Sequence, residues 1–181
     1  MAYKFLESKI SVSTDNAIHV AKNIKLQDLD NPELRLESCG NLASKLAESD
    51  RIREELIFFQ RDFPKKKVGA VLDGRDIGSV IFPDAKIKLF VTADLEVRAQ
   101  RRQEDYKKMG QQYSLRDLTE KLKERDKRDK NRKVSPLICM PDAIVFDNSE
   151  ISFERLNKEI IEIVEKKYKS LNLDINNKKK S

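Results

Sequence analysis

The sequence holds two cysteines, Cys39 and Cys139, and a single histidine, His19, in 181 residues. The cysteines are isolated, with no histidine near either, so no metal site is expected and reduced thiols are the plain reading. His19 falls in a helical stretch and is not read as catalytic. No apolar run approaches membrane-spanning length, and Met1-Ala2-Tyr3-Lys4 does not open a signal peptide. A cytoplasmic protein without a membrane partner is therefore expected. Tyr106, Tyr113 and the phenylalanines do not alternate with basic residues as an RNA-stacking surface would, so no nucleic-acid partner is expected either. One more absence bears directly on chemistry: the pattern G-x-x-x-x-G-K-[ST], a phosphate loop, occurs nowhere.

What is present argues for a folded chain. Charged residues make up 38% and hydrophobic residues 39%, with eight phenylalanines, enough for a core. The length suits one domain, expected over residues 1–170, followed by a disordered basic tail at 171–181. The net charge of +6 is concentrated: between Arg98 and Arg132, 13 Lys and Arg stand against 7 Asp and Glu, which accounts for the whole excess. A field so localised implies an anionic ligand.

Periodicity divides the chain into alternating elements. Residues 2–26 read as helical pieces, with Thr14 or Asp15 as a cap, and 29–39 as a polar irregular connection. Leu42, Leu46, Ile52, Leu56, Ile57 and Phe59 predict one long amphipathic helix over 41–63, stopped by Pro64. Strands are expected at Val68–Leu72, Ile87–Val91 and Ala143–Phe146. Helices are expected from Thr92 or Asp94 to Lys108 (ended by Gly110), from Ser114 onward, and over 151–168. Strands alternating with helices predict an α/β fold with a parallel sheet.

The chemistry-bearing residues fall in three places. Asp73, Arg75 and Asp76 put three charges at the end of an apolar strand, where open α/β sheets place their ligands and where unpaired burial would be costly. Gly74 and Gly78 permit turns or a close ligand approach there. Arg125, Arg128 and Arg132 lie three and seven residues apart, on one helical face, and three planar forks can wrap the oxygens of a polyphosphate. Asp126 and Asp129 could orient those guanidiniums. The same spacing also suits a solvated helix laced with ion pairs. Arg98, Arg101 and Arg102 occupy the preceding helix, while Ser44 and Arg53 lie on the long helix, where they could reach the same cleft or simply face solvent.

The runs Leu72-Asp-Gly-Arg-Asp-Ile-Gly-Ser-Val-Ile-Phe-Pro-Asp-Ala85, Arg98-Ala-Gln-Arg-Arg102 and Lys123-Glu-Arg-Asp-Lys-Arg-Asp-Lys-Asn-Arg132, followed by Ser135-Pro136-Leu137, resemble the bacterial cytidylate kinase family in order and spacing. The likeness runs from about Tyr3 to the closing helix. It implies a three-layer nucleoside monophosphate kinase fold with a lid over about 110–135, and transfer of the γ-phosphoryl group of ATP, with Mg²⁺, to CMP or dCMP. A monomer is expected. Carried over position by position, Ser44, Arg53 and Asp76 would recognise cytosine, with Asp73 beside them, and Arg75 would hold the CMP phosphate. Arg125 and Arg132 would contact the transferring phosphates, and Arg101 and Arg128 would help to hold ATP.

Three departures from the family accompany the likeness. Lys4 stands where the family usually has an arginine on the CMP phosphate, which would lose a bidentate contact. The 29–39 segment is shorter than the usual monophosphate-binding insert. The family's phosphate loop lies upstream of the position matching Met1, so Met1 reads as an internal methionine. A chain that truly began at Met1 would lack that loop and two strands, one of them central, and would be expected to be poorly stable and nearly inactive. Other readings make different demands. A non-catalytic remnant would bind CMP or polyanions without ATP turnover. A basic RNA- or protein-interaction module would lose binding steeply with salt and ignore free CMP. A kinase acting on UMP or AMP is a variant of the first reading.

Overall fold

The computed structural model of the chain describes Ala2, residues 13–66 and residues 69–170. Lys4, the expected tail and the first residue of the run at Val68 lie outside the described residues. The described residues form two compact units, one comprising those up to Ile81 together with Arg125–Ile138, the other Phe82–Glu124 together with those from Cys139 to Ser170.

The first unit is helical. Helix α1, Thr14–Lys22, is capped by Ser13, whose hydroxyl accepts the Asn16 N–H at 3.2 Å. The cap is thus one residue earlier than Thr14, and Asp15 instead sits in the first turn, where its charge suits the helix dipole. The expected irregular connection is two short 3₁₀ turns, Leu26–Asp30 and Pro32–Arg35. The long helix expected over 41–63 is two helices, α2 at Glu37–Leu46 and α3 at Asp50–Asp62. Ser49, extended at φ −92° and ψ 121°, starts the second, with Asp50 in its first turn. Leu42, Leu46, Ile52 and Leu56 all face one core, so the apolar rhythm runs through the break and conceals it. That core is built on Ala17, Val20, Cys39, Leu46 and Ile52. Removing a side chain such as Ile52 from water contributes about 1.5–3 kcal/mol.

No strand forms at Gly69–Leu72, and Val71 is almost fully exposed. A strand exists by pairing its backbone N–H and C=O groups with a neighbour, and none of the described residues pairs with this run. The segment after it makes a π turn at Ile77–Ile81, in which the Val80 and Ile81 N–H groups both donate to the Asp76 carbonyl, at 2.9 and 3.2 Å. Arg61 of α3 closes the far end, donating through Nε to Ile81 O and through Nη2 to Val80 O, each at 3.1 Å.

The second unit carries the sheet. Strand β1, Leu89–Thr92, pairs in parallel with β2, Ile144–Asp147, with Leu89 opposite Ile144 and Thr92 opposite Asp147. Parallel strands require a long crossover, and α4 (Leu95–Lys108) and α5 (Leu115–Asn131) lie in it. The α/β class with a parallel sheet is therefore as expected. Gly110, at φ 73°, ends α4 in the left-handed conformation that glycine adopts without strain. Tyr106, Ala99 and Leu118 form the core, with Tyr113 and Leu122 packed on it and the two tyrosine rings 4.7 Å apart. Helix α6, Phe153–Ser170, follows β2. Helix α5 belongs to the second unit as far as Glu124 and to the first from Arg125. Among the described residues, no helix is long and apolar enough to cross a membrane.

Candidate functional site

The first unit gathers seven of the residues singled out by sequence: Ser44 from α2, Arg53 from α3, Arg75 and Asp76 before the π turn, and Arg125, Arg128 and Arg132 on the last turns of α5 and just beyond. Arg132 lies one residue past α5, yet its N–H still bonds to Arg128 O at 2.9 Å, so the row of arginines continues.

Two buried carboxylates organise the cluster. Asp129 is 2% exposed. Its Oδ1 accepts the Ser44 hydroxyl at 3.0 Å and its Oδ2 accepts Arg75 Nε at 3.0 Å, with Arg125 Nε 3.8 Å from Oδ2. Ser44 Oγ in turn accepts Arg128 Nε at 3.1 Å, and Arg128 Nη2 donates to Asn41 Oδ1 at 3.1 Å. Asp76, also buried, pairs with Arg53 Nη2. Arg53 Nε donates to Ser135 Oγ at 3.1 Å, and Arg132 Nε donates to Ser135 O at 2.7 Å. Buried charges held by opposite charges and well-directed donors are the arrangement that burial permits.

The electrostatic balance is uneven. Arg53, Arg75, Arg125, Arg128 and Arg132 bring five positive charges, and Asp76 and Asp129 neutralise two. Burial, followed by repulsion from Arg53, lowers the pKa of Arg132, and Asp129 and Asp76 pull it back. A guanidinium remains protonated at neutral pH, so the strain of that position persists as charge. Its Nη2 is buried with no acceptor among the described residues. A buried cationic donor without a partner has a site-sized affinity for an anion.

The remaining expected residues stand apart from this network. Asp73 is exposed and makes none of these contacts. Arg101 belongs to the second unit, where Nη1 donates to Asn148 Oδ1 and Nη2 to the Asn148 carbonyl, both at 2.7 Å, and also to Ile151 O at 3.2 Å. Two participants were not singled out by sequence, Asn41 and Ser135. Asn41 leaves no local signal. Ser135 precedes Pro136 at the end of a charged helix, a turn signal, but nothing local says what its hydroxyl faces. Asp129 does orient guanidiniums, as its placement among the arginines suggested.

Among the described residues, no group of three His, Cys, Asp or Glu side chains could hold a metal ion, and both buried carboxylates of the cluster are engaged by guanidiniums.

Residues 3–166 match the family model described as Cytidylate kinase. A protein of Methylococcus capsulatus named Cytidylate kinase is 46% identical over 129 residues, covering 71% of this chain and 58% of the relative. One of Cereibacter sphaeroides with the same name is 38% identical over 165 residues, covering 91% of this chain and 80% of its own length. A third, from Bartonella henselae, is 39% identical over 155 residues, covering 85% and 72%. The chain thus spans between about three-fifths and four-fifths of these relatives.

Proposed function

The chain belongs to the cytidylate kinase family, and on that premise we propose that it takes part in transfer of the γ-phosphoryl group of ATP to CMP or dCMP. The observation that carries the reading is the arginine cluster around two buried carboxylates, three positive charges in excess, with one buried donor of Arg132 lacking an acceptor among the described residues. Phosphoryl transfer asks a protein mainly to position and neutralise oxygens, and planar guanidinium forks do both. In this reading Arg75 holds the CMP phosphate, leaving Asp129 in exchange. Asp76 accepts from the exocyclic amine of cytosine, supported by Arg53 and Ser44, since a carboxylate is an acceptor only. Asp73, exposed at the same turn, borders the nucleotide. Arg125 and Arg132 meet the transferring phosphates, Arg128 and Arg101 hold ATP, and Lys4 completes the phosphate contact. Residues 110–135 form the moving lid, and the 1–170 stretch acts as one domain.

Mg²⁺, when bound, would neutralise charge on the nucleotide phosphates. Its ligands would come from those phosphates and water, as is common for this hard cation. The substrates are small nucleotides, and the protein works as a monomer in the cytoplasm.

Calorimetric titration with CMP, together with a coupled assay of ATP-to-CMP transfer, tests the proposal. The expected outcome is CMP binding that Arg75→Ala weakens by about 2 kcal/mol, the scale of a lost charge-assisted contact. That is roughly thirtyfold in Kd. Binding without transfer would favour a nucleotide-binding protein that does not catalyse. Binding unaffected by Arg75→Ala would remove the site assignment.

A further inference from the structure

Ser135 is half-buried and is the one non-glycine among the described residues with positive φ, at 47°. That conformation is uncommon for a residue with a side chain, and the following Pro136 restricts Ser135 further, toward extended backbone. A sparsely populated backbone persists only where its surroundings over-determine it. Here the surroundings are explicit. Leu137 N–H donates to Asp129 O at 2.8 Å, tying the loop back onto α5. The Ser135 hydroxyl accepts Arg53 Nε at 3.1 Å, and its carbonyl accepts Arg132 Nε at 2.7 Å.

One residue therefore supplies an acceptor to each of two guanidiniums that repel one another. Arg53 comes from α3 and Arg132 from the end of α5, and no carboxylate bridges them through Nε. With both Nε groups held on Ser135, the guanidinium of Arg53 is directed to Asp76, while Nη2 of Arg132 is left buried without an acceptor among the described residues. Relaxed to negative φ, the loop would turn the carbonyl and the hydroxyl away from each other's partners.

We propose that Ser135 is a positioning residue, fixing the separation and orientation of Arg53 and Arg132 for the base of a bound nucleoside monophosphate and the phosphoryl group transferred to it. This rests on the reading of the cluster as the CMP site. The left-handed backbone serves that geometry, and the hydroxyl is its working group.

The test compares Ser135→Ala, Ser135→Gly and Ser135→Asn with the parent chain, by thermal unfolding and by CMP titration. Alanine and glycine both delete the hydroxyl, but only glycine is at ease with positive φ. Asparagine tolerates the left-handed region and restores an acceptor. The expected result is a higher Tm for Ser135→Gly than for Ser135→Ala, with CMP affinity reduced about tenfold in both, the size of one lost bond to a charged donor. Ser135→Asn should recover most of that loss. A purely structural serine would make affinity follow Tm, so a glycine variant binding CMP like the parent overturns the proposal. Equal affinity in all four proteins overturns it as well. If the parent itself does not bind CMP, the reading of the cluster fails first and the role of Ser135 with it.

Discussion

Two groups of helix-borne arginines, one in each unit, meet different partners: Arg98, Arg101 and Arg102 on α4, and the cluster around Asp76 and Asp129. On α4 these guanidiniums donate to neutral acceptors, chiefly backbone carbonyls. Arg98 Nε caps Ala93 O at 2.9 Å, Arg101 binds the carbonyls of Asn148 and Ile151, and Arg102 Nε reaches Tyr106 OH at 3.0 Å with its guanidinium 5.3 Å from the same ring. In the first unit's cluster, five guanidiniums share two carboxylates, with hydroxyls and a carbonyl as further acceptors, too few negative charges to neutralise them. Neutral carbonyls satisfy an arginine's donors in the bare protein and stabilise the fold. A cluster of like charges around two aspartates is satisfied only in part and has capacity left for an anion.

The comparison breaks most visibly at Asp129. Asp129→Ala strips Arg75 and Ser44 of an acceptor and leaves the cluster one more charge in excess. The expected loss is about 3–5 kcal/mol of unfolding free energy, as for a buried pair deprived of one partner. Urea denaturation measures it, and a loss under about 1 kcal/mol would mean that the network contributes little to folding.

A smaller effect separates the two arginine populations directly. Arg101→Ala should lower stability by about 1–3 kcal/mol, because three bonds from a charged donor are lost and carbonyls are exposed, while CMP affinity stays at the parent value. Arg75, half-exposed and bonded to Asp129, should show the reverse, a small change in stability and a large one in affinity. If both variants lose CMP binding equally, the distinction between Arg101 and the CMP-facing Arg75 does not hold.

The smallest effect is one of pH. Lys88 Nζ donates to Asp142 Oδ2 at 2.7 Å, and this hydrogen bond, ahead of every other influence, holds the Asp142 carboxyl below its ordinary value of 3.8. A carboxyl whose pKa is depressed by folding contributes stability that is complete above the unfolded value. The contribution disappears as the pH falls through the folded value. The difference in Tm between the parent and Asp142→Asn should thus be constant from about pH 5 to 7 and shrink toward pH 3. A difference that grows on acidification would contradict the assignment. Asp147, held low chiefly by the Ser149 hydroxyl, adds a second contribution of the same sign in the same unit.

Several of these features could be read from the sequence because their causes are local. Gly110 ends α4 through its own backbone freedom, Pro64 follows α3 because it cannot continue a helix, and Leu89–Thr92 and Ile144–Asp147 are strands within runs that are apolar and β-branched. The arginine row at 125, 128 and 132 follows from helical geometry alone. The division of α2 from α3 was hidden because one apolar face serves both helices. The run at Val68–Leu72 has strand composition, but pairing is a property of two segments, and none of the described residues pairs with it.

The amino-acid sequence by itself determined the α/β class, the family, and which residues carry charge at which helical spacing. These depend on periodicity, turn chemistry and motif order, all of which act within a few residues of chain. Only the tertiary structure decided what each charge faces. Arg101 and Arg128 are the same residue type on neighbouring helices, yet one meets backbone carbonyls and the other Ser44 and Asn41, more than eighty residues away in sequence. Ser135 acquires its two partners in the same manner, from a backbone conformation that no local preference selects. Contacts at such separations are set by how elements pack, because a guanidinium bonds whatever acceptor the folded chain brings within about 3 Å.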